Sequence, residues 1–134
     1  MIIDLGCGTG LMTRALATRG RVAIGVDPSP AMLEVARKGP NADKVQWIQG
    51  DASALGAIGA DLAPMTGNVA QVFLDDEAWT SALHSLLRAL RPAGRLAFDS
   101  RNPDAPGVGE VCDDRTAEGL KVRSSKGNES IKSK

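Results

Sequence analysis

The sequence predicts an α/β domain built on an open, mostly parallel sheet. Short apolar runs alternate with amphipathic stretches through residues 1–101, the pattern of βαβ units. Glycines and carboxylates fall just after the apolar runs, where a parallel sheet gathers its functional loops. Apolar residues of the AVILMFWYC set number 49 in 1–101 and 8 in 102–134, so a core can be built only from the first part. With 134 residues there is room for one domain, read as a folded unit over 1–101 and a polar, loose tail over 102–134. Within that tail only Leu120-Lys121-Val122-Arg123 alternates like a short strand.

The first strand runs from Met1 to Leu5, followed by a glycine-rich turn. Leu11, Met12, Ala15 and Leu16 then recur at helical spacing until Gly20 closes the helix. Val22 to Asp27 is the second strand. Ser29 is a suitable N-cap with Pro30 at the first helical position, and Gly39-Pro40 stops a helix carrying Met32, Leu33, Val35 and Ala36. Val45 to Gln49 is the third strand. Asp61 to Thr66 is the fourth, against which Pro64 stands as an objection because it cannot donate to a ladder. Residues 75–91 form the longest helix, with Trp79, Ala82, Leu83, Leu86, Leu87 and Leu90 in one stripe. Asp75, Asp76 and Glu77 sit at its positive end and Arg88 and Arg91 at its negative end. Pro92 and Gly94 end it, and Arg95 to Ser100 is the fifth strand.

Composition removes several function classes. Lys plus Arg and Asp plus Glu are both 16, so no global field is available for a phosphate backbone or an anionic membrane. Four aromatic residues and no Tyr leave few base-stacking platforms and exclude mechanisms that need a tyrosine acid or base. Cys7 and Cys112 are too far apart in sequence and context to suggest a disulfide framework or a metal site, which fits a reducing cytoplasm. No metal site is expected. No secretory signal is expected in the opening Met-Ile-Ile-Asp-Leu-Gly, and no stretch approaches the ~20 apolar residues of a membrane span.

Four segments fall at carboxyl ends of strands: Asp4 to Gly10, Asp27, Asp51 and Thr66-Gly67-Asn68. They should line one crevice. Gly6, Gly8 and Gly10 let the backbone turn and approach a ligand, and are expected to present free amides at a helix start. A dinucleotide fingerprint would need glycine where Leu11 stands, so NAD is disfavoured. Asp27, 21 residues past Gly6, supplies an acceptor-only carboxylate of the kind that grips ribose hydroxyls. Each feature also has a structural reading: a tight turn without ligand, a helix-capping acid for Asp27, a solvated loop acid for Asp51.

Taken together, Asp4-Leu-Gly-Cys-Gly-Thr-Gly10, Gly25-Val-Asp-Pro-Ser-Pro-Ala-Met-Leu33, Gln49-Gly-Asp-Ala52 and Leu90-Arg-Pro-Ala-Gly-Arg-Leu96 resemble the class I S-adenosylmethionine-dependent methyltransferases of the small-molecule type. The resemblance covers residues 1 to about 103. It implies a Rossmann-like, doubly wound sheet of order 3-2-1-4-5 with helices on both faces, and S-adenosyl-L-methionine as cofactor. It implies further that Gly6, Cys7, Gly8 and Gly10 hold the methionine part with Asp4 near its amino group, and that Asp27 takes the ribose. Asp51 and the backbone of Ala52 would meet the adenine, Met32 or Pro28 would cover it, and Thr66 would line the crevice. The family pattern also has a helical segment before the first strand, two closing strands after the fifth, and a glycine at the position of Ala93. On that comparison the chain reads as truncated at both ends, and a cofactor-binding fragment without turnover is the alternative to an active enzyme.

The acceptor is narrowed by comparison with other subclasses. Amino-group methylation of adenine or glutamine resembles Asn/Asp-Pro-Pro-Tyr after the fourth strand, where this chain reads Met65-Thr66-Gly67-Asn68. Cytosine-carbon methylation needs a cysteine after proline, whereas Gly6 precedes Cys7 and Val111 precedes Cys112. A small-molecule acceptor remains, with no nucleic-acid or membrane partner. No catalytic residue stands out: His84 reads as a solvated helix residue, Trp79 as core and Cys7 as a small filler, leaving Asp99 and Ser100 as acid or base candidates. A short-chain nicotinamide dehydrogenase is discounted because it needs a tyrosine base.

Overall fold

A computed structural model describes residues 1–18 and 20–100 of the chain. The expected tail and its alternating Leu120–Arg123 segment lie outside the described residues. Five strands, β1 (Ile2–Leu5), β2 (Ala23–Asp27), β3 (Val45–Gln49), β4 (Ala60–Met65) and β5 (Leu90–Phe98), form one sheet in the order β3-β2-β1-β4-β5. All four neighbouring pairs are parallel. The order and direction follow the expectation.

Three helices connect them: α1 (Leu11–Leu16), α2 (Pro30–Lys38) and α3 (Asp76–Ala89). Apolar side chains alternate across the strands, which buries two separate faces. Ile3, Leu5, Ile24 and Val26 pack with Ala82, Leu83 and Leu86 of α3 in the larger core. Ala23 and Val45 pack with Ala17 and the partly buried Trp47 in a smaller one on the α1 side. Leu83 and Leu86 are almost fully buried, and each such side chain contributes about 1.5–3 kcal/mol relative to exposure. Both faces of the sheet are therefore covered.

The helix ends follow from local chemistry. Ser29 Oγ accepts from the Met32 amide at 3.3 Å with Pro30 next to it, and Gly39 is the C-cap of α2. Asp75 Oδ1 accepts from the Ala78 amide at 2.7 Å, with Asp76 and Glu77 in the first turn of α3. Three elements, α1, α3 and β5, differ from expectation by two residues or more at an end. α1 stops at Leu16 rather than Gly20, because Ala17 closes onto the Thr13 carbonyl and Thr18 Oγ1 turns back to that of Ala15. α3 ends at Ala89, and β5 begins at once with Leu90.

β5 therefore starts earlier and ends earlier than Arg95–Ser100. Leu90 pairs with Ala60 and Arg95 with Leu62, so Arg91–Gly94 bulge out between them. Ala93 takes a φ of 65° in that bulge, and Arg91 Nε donates to Asp61 Oδ1 at 2.5 Å, tying the bulge to β4. Pro64 does lie inside β4, opposite Ala97. Its missing donor is tolerated because the registered β1–β4 pairing is Ile2 with Leu62, short of Pro64.

Candidate cofactor site

The carboxyl ends of β1, β2 and β3 are joined by hydrogen bonds that begin in the backbone. The Gly6 and Cys7 amides both donate to the Val26 carbonyl, at 2.8 and 3.0 Å, which folds the turn after β1 over the end of β2. The Gly50 amide donates to the Asp27 carbonyl at 3.0 Å and draws in the segment after β3. The Gly10 amide donates to the Cys7 carbonyl at 2.8 Å. Four amides of the glycine loop are thus consumed internally once Gly8 is included below. The expectation of a row of free amides is corrected on this point, and α1, six residues long, offers no helix-start site of its own.

Asp27 carries the most specific geometry. Its Oδ2 accepts from the Gly8 amide at 2.8 Å and its Oδ1 from the Ser29 amide at 2.9 Å. A carboxylate has about four lone-pair sites, so each oxygen keeps capacity for a further donor. The side chain is 8% exposed, held in one orientation at the mouth of the loop. Sequence spacing placed Asp27 at this edge but did not reveal that it also fixes the loop.

The three loop glycines do different things. A Cβ on Gly6 would run into Val69, and one on Gly10 into Trp47 and Ala36. Those two positions are empty so that neighbouring side chains can close in. Gly8, at φ 53°, has nothing within 4 Å of where a Cβ would stand. It is the glycine of the three with open space before it, which is the shape a ligand approaching the backbone needs.

Asp4 sits behind the loop, 2% exposed, with its Oδ2 accepting from Thr13 Oγ1 at 2.5 Å. Burial pushes its carboxyl above the usual carboxylate range, opposed by the Thr13 bond and assisted by the charge of Asp27. Its position is that of an anchor between β1 and α1, not of a group on the crevice surface. Thr13 and Trp47 were the partners that sequence reasoning missed. Trp47 donates from Nε1 to the Ala42 carbonyl at 3.1 Å and packs where side chains at Gly10 and Gly25 would otherwise lie. The signal available was the coincidence of two bare glycines with one large residue on β3.

Cys7 is half-buried, and burial first, then the charges of Asp4 and Asp27, push its thiol up to about 12. It is no nucleophile at neutral pH. Asp51 is exposed at the end of β3 and accepts from the Ser53 amide at 2.8 Å and its hydroxyl at 2.5 Å, which hold its carboxyl below the usual range. Ala52, next to it, is buried. Pro28 and Met32 are exposed beside Asp27. Thr66 Oγ1 reaches Met12 Sδ at 3.2 Å across the far side of the loop. Asp99 is tied to this edge through the Asn68 amide, at 3.4 Å to Oδ2. His84 is exposed on α3, outside the larger core, while Trp79 is buried in it. Among the described residues no group of three or more His, Cys, Asp or Glu is placed to hold a metal.

Comparison with known proteins accords with this geometry. Residues 2–94 match the methyltransferase domain family. The chain is 40% identical over 108 residues to the trans-aconitate 2-methyltransferase of Azoarcus sp. (strain BH72), covering 78% of this chain and 41% of that protein. It is 30% identical over 103 residues to the cypemycin N-terminal methyltransferase of Streptomyces sp., covering 76% and 42%. Among solved structures, a TehB-like SAM-dependent methyltransferase from Corynebacterium glutamicum superposes with a TM-score of 0.66 at 29% identity, covering 76% of this chain and 55% of that one. A S-adenosylmethionine-dependent methyltransferase from Mesorhizobium loti gives 0.65 at 28%, covering 85% and 53%. The chain spans about two fifths of the length of the curated relatives it matches. With the sheet order, the glycine loop and the pinned Asp27 all in agreement, this chain belongs to the S-adenosylmethionine-dependent methyltransferases.

Proposed function

We propose that the chain binds S-adenosylmethionine across the ends of β1, β2 and β3, and that the protein transfers its methyl group to a small-molecule acceptor. The observation that carries the reading is Asp27, held by the Gly8 and Ser29 amides beside the open face of Gly8. The unused lone pairs of Asp27 would accept the two ribose hydroxyls. Gly8, flanked by Gly6, Cys7 and Gly10, would receive the methionine part of the cofactor at the backbone. Asp4, with Thr13 as its partner, keeps the loop in place from behind. At the adenine end, Asp51 Oδ2 would accept from the ring amino group, the Ala52 backbone would meet the ring edge, and Pro28 and Met32 would cover its face. Thr66 closes the crevice toward β4.

When bound, the cofactor supplies a sulfonium methyl group that is reactive without metal or redox help. The protein's part is to hold donor and acceptor in line and to exclude water. A dedicated base is needed only where the acceptor must lose a proton. Asp99 and Ser100, at the end of β5, are the acid or base candidates nearest the acceptor side.

Balanced charge and few aromatic residues argue against a nucleic-acid partner. Cysteine usage suits a reducing cytoplasm, and no described helix is long and apolar enough to cross a membrane. The share of the relatives' length that is spanned favours one second reading: that residues 1–134 alone bind cofactor without turning over.

The test is calorimetric titration of the chain with S-adenosylmethionine and S-adenosylhomocysteine, with Asp27→Ala alongside. Loss of charge-assisted bonds to the ribose should cost about 1.5–3 kcal/mol, roughly tenfold to a hundredfold in affinity. Unchanged affinity in the variant would sink the ribose assignment. Binding without methyl transfer to any acceptor would select the second reading.

A further inference from the structure

Arg14, in the last turn of α1, reaches back past the start of its own helix. Its Nη1 donates to the Thr9 carbonyl at 2.7 Å and to the Ala36 carbonyl of α2 at 3.2 Å. One guanidinium nitrogen therefore joins the glycine loop to the helix that follows β2. Room for it is left at Gly39, the C-cap of α2, where a Cβ would stand 2.3 Å from Cζ of Arg14 and 2.7 Å from Nη1. Gly39 has a φ of −80°, which any residue adopts, so its bareness answers to the guanidinium and not to the backbone.

The place of Thr9 gives this contact its consequence. Thr9 stands between Gly8 and Gly10, both at left-handed φ, in a turn that also contains Gly6. A backbone so rich in glycine has wide freedom, and it settles into one shape only where bonds from outside hold it. Asp27 holds it on one side, accepting from the Gly8 amide at 2.8 Å. Arg14 holds it on the other, one residue along, through a charge-assisted bond of the stronger kind. Ala36 ties α2 to the turn a second time, because its methyl group lies 2.9 Å from where a Cβ on Gly10 would be.

We propose that Arg14 is a positioning residue for the cofactor, fixing the Gly8–Gly10 turn that receives the methionine part against α2, which borders the nucleoside part. The proposal rests on the methyl-transfer reading above. Arg14 acts through the Thr9 carbonyl and makes no contact with the cofactor of its own. Its value to the reaction is geometric: methyl transfer needs the sulfonium at a set place, and a displacement of about 1 Å is enough to cost rate. The two ends of the cofactor depend on Arg14 unequally. Asp27 and Asp51, at the nucleoside end, are each held by a local amide as well, from Ser29 and Ser53. The amino-acid end has the glycine turn itself, whose shape Arg14 keeps. Loss of the guanidinium contact should therefore loosen the hold on the amino-acid end and spare the nucleoside.

The experiment titrates the full chain with S-adenosylhomocysteine and with 5′-methylthioadenosine, which keeps the nucleoside and the sulfur and lacks the amino-acid end. Three variants are compared with wild type. Arg14→Met removes the donors and keeps an apolar stem, Gly39→Ala displaces the guanidinium without touching the turn or the charge, and the third combines them. S-adenosylhomocysteine should bind about tenfold more weakly to Arg14→Met and at least about threefold more weakly to Gly39→Ala, with 5′-methylthioadenosine within about twofold in both. The combined variant should bind no more weakly than Arg14→Met, because both changes break one contact. A fall in stability alone lowers both affinities together and leaves their ratio unmoved. Gly39→Ala carries the test by itself should Arg14→Met fail to fold. Equal losses for the two ligands, unchanged S-adenosylhomocysteine affinity in either single variant, or additive losses in the combined one would each overturn the proposal. Failure of the cofactor reading looks different: wild type then binds neither ligand, which removes that reading and this proposal with it.

Discussion

The β1–β2–β3 side of the sheet and the β4–β5 side are built to different standards of closure. On the first side every conspicuous polar group has a protein partner: Asp4 has Thr13, Asp27 has Gly8 and Ser29, Asp51 has Ser53, and Trp47 has the Ala42 carbonyl. On the second, Trp79 Nε1 and Asp99 Oδ1 are buried without one among the described residues, Val72 and Leu74 are largely exposed, and Ala93 sits at a φ of 65°. The difference teaches that the β1–β2–β3 side closes its own polar groups, through contacts that join the glycine loop to β2, β3 and Val69. On the β4–β5 side the described residues leave these polar and apolar groups without such closure.

The largest expected effect tests how tightly the first side is packed. Gly10→Ala should destabilise the chain by about 3 kcal/mol, combining left-handed backbone strain with a Cβ that collides with Trp47 and Ala36. Urea unfolding measures it directly. Gly8→Ala shares the strained backbone but meets open space, so it should cost only about 1 kcal/mol in stability. Its effect should appear instead as a loss of S-adenosylhomocysteine affinity of about tenfold or more, because the new methyl group occupies the ligand's path. If both variants lose stability equally, the distinction between packing glycine and ligand glycine fails.

Next in size is the bond that anchors Asp4. Thr13→Val removes the donor at nearly constant shape and leaves a buried carboxylate oxygen unpaired, at a cost of about 1–3 kcal/mol. This loss also carries a pH signature. Burial raises the Asp4 pKa above its unfolded value of 3.8, so the folded chain holds this proton more tightly than the unfolded one. Asp4 therefore favours the folded state below the unfolded pKa, and that contribution is lost as pH rises through the folded value. Thr13→Val removes a bond that lowers the Asp4 pKa, so the decline should reach to higher pH, and Asp4→Asn should abolish it. Unfolding free energies followed upward from pH 4 that show no difference in slope between wild type and Asp4→Asn would rule the effect out.

The same contrast explains what the sequence disclosed. The α2 caps, the apolar stripe of α3 and the placement of Asp27 were legible from local spacing, while the sheet order was implied by the family resemblance that the glycine loop and Asp27 carry. The tasks of Gly6 and Gly10 were not legible, since they depend on Val69 and Trp47, far along the chain. Nor were the occupied amides of the glycine loop, because a glycine-rich turn looks the same on paper whether its N–H groups face a ligand or the Val26 carbonyl. The bulge at Arg91–Gly94 was read as a helix end and a loop, because Pro92 and Gly94 signal a break without saying that pairing resumes on both sides of it.

Ala93 offers the smallest and cleanest test on the second side. Its φ of 65° is a conformation that an L-residue adopts at a cost of about 1–2 kcal/mol, and its side chain is exposed. Glycine removes that cost but adds conformational entropy to the unfolded chain, roughly 0.5–1 kcal/mol in the opposite direction. The net expectation for Ala93→Gly is a gain of about 0.5–1 kcal/mol, seen as a higher urea midpoint with an unchanged slope. Because Ala93 lies at the Leu90 end of β5, away from the Asp27 crevice, cofactor affinity should not move. A loss of stability would mean that the bulge does not hold Ala93 in the left-handed region, and that the strain on this side of the sheet lies elsewhere.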